Sequence, residues 1–170
     1  MNKKRIIIFV AVILAIALVA VLWRTFYKEE ITTTNLTADT GPINETAYIK
    51  NIFEIEAKTY AEIDMVEWLS GDEAKNAALA DGDCMDLQYC APNGIYIRNT
   101  NTDTQTFEID PAVVITRVSD FDFDPTGIHR ITLEEFKTLF RLDAVRVQNM
   151  PFVITGNNGI ISRLNEKFLP

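Results

Sequence analysis

The chain divides by its pattern of apolar and polar positions into three unlike stretches. From Ile6 to Trp23 every residue is apolar (IIIFVAVILAIALVAVLW). These 18 residues span roughly 27 Å as a helix, close to a bilayer core of about 30 Å. Residues 29–46 (EEITTTNLTADTGPINET) carry six Thr, a Gly-Pro pair and no apolar period, which marks a linker. From residue 47 onward short apolar patterns recur to the end, as in a folded domain.

Within 47–170 the pattern predicts particular elements. AYIKNIFEIEAKTYAEIDMVEWL alternates apolar and polar residues and predicts two strands in a hairpin. Ser70-Gly71-Asp72-Glu73 has the spacing of a capping box, and AKNAALA up to Gly82 continues it as a short helix. GIYIRN (94–99), QTFEID (105–110) and AVVITRV (112–118) predict three more strands, with 99–103 as a turn. Thr132-Leu133-Glu134-Glu135 is a second capping box, opening a helix with Leu133, Phe136, Leu139 and Phe140 on one face. PFVITG and IISRLNEKF flank Asn157-Asn158-Gly159, a strong hairpin signal. The expected fold class is an N-terminal transmembrane helix plus a mainly-β (α+β) ectodomain of about seven short strands and two helices. An OB-like small barrel is the first expectation and a general α+β sheet the alternative.

Charge sharpens the division. The net charge of −8 is the sum of two opposed parts. Residues 1–28 hold five bases (Lys3, Lys4, Arg5, Arg24, Lys28) and no acid, leaving 11 bases against 24 acids, a net −13, in the remainder. Lys3, Lys4 and Arg5 precede the apolar run without compensation, whereas Arg24 and Lys28 are offset by Glu29 and Glu30. The positive-inside rule then places the N-terminus in the cytoplasm and the domain outside, as a single-pass cell-membrane protein with the bilayer contacted through residues 6–23. Trp23, Phe26 and Tyr27 suit the interface. The run exceeds a signal-peptide core, and its one small-x-small site, Ala15-Ile16-Ala17, lies inside the apolar stretch, so an uncleaved signal-anchor is expected. The domain boundaries follow as 1–28 anchor, 29–46 linker and 47–170 extracytoplasmic domain.

The run from Trp68 to Ala74, Asp81-Gly82 and Pro92-Asn93-Gly94-Ile95-Tyr96-Ile97-Arg98-Asn99 resembles a pattern in small exported or membrane-anchored bacterial domains of uncharacterised function. The resemblance continues through Thr106–Ile109 and Gly159–Leu164. It implies an exported bacterial protein and assigns no catalytic residue.

Candidate chemistry is sparse. Cys84 and Cys90 are the only cysteines, and outside the cytoplasm such a pair reads as a disulfide, with free thiols or redox or metal use as alternatives. Asp120, Asp122 and Asp124 alternate in a spacing that a hard cation such as calcium favours, but Pro125 and Ile131 stand where an EF-hand needs Gly and Glu. Acids in water at a strand end, with Phe121 and Phe123 packed inward, account for the same pattern. Asp81, Asp83 and Asp86 make a second acidic loop. His129 is the only histidine and has no nucleophile motif beside it. The acidic balance excludes a nucleic-acid partner unless Arg98, Arg117, Arg130, Arg141 and Arg146 converge. The expected function is therefore binding of an envelope protein or wall component, without cofactor. A membrane-tethered hydrolase using a carboxylate pair or His129, and a calcium-stabilised envelope domain, are the alternatives.

Overall fold

In the computed structural model the described residues are 41–118 and 128–169. The expected span at 6–23 and the triad Asp120, Asp122 and Asp124 lie outside them. Among the described residues no helix is long and apolar enough to cross a membrane.

Five strands close on themselves. β1 (Pro42–Ile55) pairs antiparallel with β2 (Lys58–Ser70), and β2 with β4 (Thr104–Val118). β4 runs parallel to β7 (Ile160–Glu166), which pairs antiparallel with β6 (Pro151–Asn157), and β6 returns to β1. Two short strands lie outside this ring. β3 (Ile95–Arg98) extends the edge of β2 beyond β4, and β5 (Ile128–Ile131) adds to the far half of β4. Three helices complete the set: α1 (Gly71–Asp81) between β2 and β3, then α2 (Leu133–Leu142) and α3 (Ala144–Gln148) between β5 and β6.

The expected mainly-β fold with a small barrel is thus present, with seven strands among the described residues, five of them in the ring. Inward positions such as Ile49, Ile63, Phe107, Ile109, Ile115, Ile154, Ile161 and Leu164 form one core. α2 and α3 add Phe136, Phe140 and Val147 to it, and the Phe136 ring meets Phe152 edge-on at 5.7 Å. Thr132 and Glu135 make both bonds of the capping box at α2, which holds the Glu135 carboxyl below its ordinary pKa.

Several local expectations change. The Ser70 side chain makes no cap bond, and Gly71 N–H instead donates to Gly94 O at 2.9 Å. Residues 42–46, read as linker, lie within β1, where Ile43 reaches the core. The two strands expected over 105–118 are one, because β4 continues through Pro111 at its break in register. Proline has no N–H to contribute there, and Asp110 Oδ1 takes the N–H of Ala112 at 2.8 Å. The strand count survives only because β5 was not foreseen; α3 was not foreseen either.

Closure depends on tight geometry at two turns. Asn158 and Gly159 turn β6 into β7 with positive φ, as Asn-Gly should. Glu56 and Ala57 turn β1 into β2 with φ of 50° and 65°, an arrangement that costs residues with a Cβ about 1 kcal/mol each. Gly156 sits at a register shift between β6 and β7, where an added Cβ would collide with the Ile160 carbonyl oxygen. In thermal and urea melts, Ala57→Gly should therefore stabilise the domain by about 1 kcal/mol. Gly156→Ala should destabilise it by about 3 kcal/mol, because the clash is with backbone. Equal melts for both variants would contradict this description of the turns.

Candidate functional site

Residues 71–94 leave the β2 edge at Ser70 and rejoin it at Ile95, which is paired with Ser70. They form an arm built from α1, a loop and a turn. Ala74, Ala77 and Ala78 are the buried face of α1, small enough to let the helix lie close to β3. Gly82 ends the helix in the left-handed conformation, with its N–H and that of Asp83 donating to Leu79 and Ala78 carbonyls.

Arg98 fixes the arm to the sheet. Its Nε and Nη2 donate to the two Asp81 oxygens at 2.7 and 3.0 Å, a bidentate pair, and Nη1 lies 3.6 Å from Glu67. The Tyr96 hydroxyl donates to the same Asp81 at 3.1 Å. Asp83, burial and Asp81 together push the Tyr96 phenol well above its usual pKa. The Arg98 guanidinium holds the Asp81 carboxyl below its ordinary value.

The loop beyond α1 is closed by a disulfide between Cys84 and Cys90, with Cα atoms 5.4 Å apart, so that expectation is met. Within it Asp86 caps a single 3-10 turn, Leu87–Tyr89, by accepting from Gln88 N at 3.1 Å and Gln88 Nε2 at 3.0 Å. The acidic loop of Asp81, Asp83 and Asp86 therefore spends its carboxylates on Arg98, Tyr96 and this turn. Among the described residues no group of three or more His, Cys, Asp or Glu is placed to hold a metal.

The sequence reading missed what the loop presents. Met85 is fully exposed, Tyr89 is 71% exposed and Leu87 43%. Cys90 is buried behind them. All three lie between the bonded cysteines, and their outward display forgoes the energy of burying them. The signal was present in the C-x5-C segment as apolar residues at alternate places between the cysteines.

Of the other candidates, His129 and Arg117 meet across β5 and β4. His129 lies on β5, half-buried, in register with Arg117. Arg117 pairs with the buried Glu166 at 2.9 Å. The five arginines sit on five different elements: Arg98 on β3, Arg117 on β4, Arg130 on β5, Arg141 on α2 and Arg146 on α3. Asp81 and Glu135 have carboxyls held below their ordinary pKa, opposite to what a general acid needs.

Sequence reading also missed Asp64, which is 2% exposed on β2 opposite Tyr48. Lys50 pairs with it at 3.3 Å and Asn99 Nδ2 donates to it at 2.9 Å, while its Oδ1 has no protein partner. Burial and this carboxylate raise the Tyr48 phenol. Asp64 is the buried centre of this cluster, and Lys50 and Asn99 reach it from the solvent side at the β1–β2–β3 junction.

No protein family, curated protein or solved structure matches this chain.

The Arg98–Asp81 pair gives a pH prediction. Asp81 is more acidic in the folded chain than its ordinary 3.8, so its contribution is complete above that pH and is lost as pH falls through the lower folded value. The melting temperature of the parent should exceed that of Asp81→Asn at pH 6, and the gap should shrink at acid pH below 3.8. A gap independent of pH would contradict the assignment.

Proposed function

We propose that this chain is a single-pass membrane protein whose extracytoplasmic domain binds an envelope protein or wall component through the arm. The observation that carries the reading is the display of Met85, Leu87 and Tyr89 on a disulfide-clamped loop fixed to the sheet by Arg98. Exposed apolar side chains on a rigid support mark binding surfaces, and Met and Tyr are frequent there. The oxidised cysteine pair supports an address outside the cytoplasm, as do the apolar run at 6–23 and the bases before it.

The ectodomain is OB-like in this reading. Its ring runs first–second–third–fifth–fourth–first, the third and fifth strands are parallel, and α2 and α3 fall between the third and fourth. Barrels of this kind bind oligonucleotides and oligosaccharides. The −13 of residues 29–170 favours a partner other than nucleic acid.

A photo-crosslinking residue placed at Met85 of the full chain in intact cells should give a discrete heavier adduct. The same residue at Ser162, exposed on β7, should give none. Digestion with a wall hydrolase separates a glycan adduct from a protein one. Absence of any adduct at Met85 would refute the arm as a binding surface. A reporter fused after Pro170 should be active outside the cytoplasm; activity inside would reverse the topology.

A further inference from the structure

Between α1 and the paired strands β2 and β3 lies a hollow of about 870 Å³. Leu69, Ala77 and Ala80 supply its apolar surface, and Glu67, Glu73 and Arg98 its charges.

Those charges do not cancel. Arg98 donates from Nε and Nη2 to both Asp81 oxygens and lies 3.6 Å from Glu67, so its charge is met twice over. Glu73 has no such base. It stands three residues after Ser70, the spacing at which a capping box turns the carboxylate back to the cap N–H. The box does not form here. The Ser70 side chain makes no cap bond, and Gly71 N–H goes to Gly94 O. Among the described residues the Glu73 carboxylate has neither a hydrogen bond nor an ion pair.

The rest of the arm adds to this field. Residues 71–94 hold five acids against one base, Lys75, a net −4, and Lys75 does not line the hollow. The positive end of the helix dipole offsets part of the charge of Asp72 and Glu73 in the first turn of α1. The last turn has no base to meet the negative end, and Asp81 stands there instead.

We infer that the partner bound by the arm presents a basic peptide segment, whose Lys or Arg side chains meet Glu67 and Glu73 in this hollow. The inference rests on the reading of the arm as a binding surface and names the chemistry of its partner. α1 joins the hollow to the exposed apolar side chains, because the Leu87–Tyr89 turn packs against it. A segment with apolar residues beside its bases therefore engages both, with Met85, Leu87 and Tyr89 taking the apolar side chains. Acidic wall polymers and acidic lipid headgroups meet repulsion from the same charges. A protein segment supplies cations and apolar surface together, which a neutral glycan does not.

The test uses the immobilised full-length chain and a phage-displayed library of random linear peptides. Enriched peptides should carry two or more Lys or Arg next to apolar residues. Raising the salt from about 0.05 M to about 0.5 M should weaken them several-fold, since exposed charge pairs are screened. The double variant Glu67→Gln with Glu73→Gln keeps the shape of the hollow and removes both charges. It should melt as the parent does and bind these peptides about fivefold more weakly, as two exposed pairs are lost. Glu54→Gln with Glu56→Gln removes as much charge at the other end of the β1–β2 hairpin and should leave binding unchanged. The inference is overturned if no peptide is enriched, if the enriched peptides lack bases, or if the two double variants weaken them alike. Peptides without bases that Met85→Ser releases would overturn it while leaving the arm as a binding surface. Basic peptides that need Glu67 and Glu73 yet bind Met85→Ser as they bind the parent would uphold it and remove the display of Met85 from the reading of the arm.

Discussion

The parallel contact of β4 with β7 is the constraint on which the rest of the domain depends. Every other seam of the ring is antiparallel: β1–β2 and β6–β7 close across turns, while β2–β4 and β1–β6 join strands distant in sequence. This one is parallel, so no turn can make it and the chain must cross over, through β5, the helices and β6, before it forms. Two side-chain pairs pin it: Thr116 Oγ1 donates to Asn165 Oδ1 at 2.6 Å, and Arg117 Nε to Glu166 Oε2 at 2.9 Å. Glu166 is buried, and losing its partner would leave a charge in the interior, a change that costs several kcal/mol in such pairs. With the seam formed, Ile109, Ile115, Ile161 and Leu164 face one interior, and the helices between β5 and β6 have a core to cover.

The sequence was most legible where one residue type suffices. Asn158-Gly159 announces its turn, and Thr132 with Glu135 announces the start of α2, because the chemistry of each is local. It was least legible where a neighbour across the sheet decides. Glu56-Ala57 carries no turn signal, and its strained φ values are sustained by the strands on either side. Pro111 suggested a break between strands, yet β4 absorbs it at a register shift. Ser70 has the spacing of a cap, but the arm's turn at Gly94 binds Gly71 instead. Asp64 reads as an ordinary outward acid until Lys50 and Asn99 are placed round it.

The same division holds for function. The disulfide was visible as a pair of cysteines, but the apolar residues between them were overshadowed by the acids nearby. The structure reverses that emphasis. Asp81 and Asp86 are occupied in holding the arm and its turn, and Met85, Leu87 and Tyr89 are what the loop offers outward. Outside the arm, polar side chains hold junctions: Asp64 at β1–β2–β3, Arg117 at the parallel seam, and Lys137 between β1 and α2.

The arm also has a property that follows from where it begins and ends. Ser70 and Ile95 face one another across adjacent strands, so 71–94 depart from and return to points about 5 Å apart. A closed excursion of this kind imposes little on the barrel, since loop length adds only slowly to the cost of joining two ends. Its length and sequence can drift without moving a residue of the ring. The arm is in that sense a cassette, and the five strands are its holder.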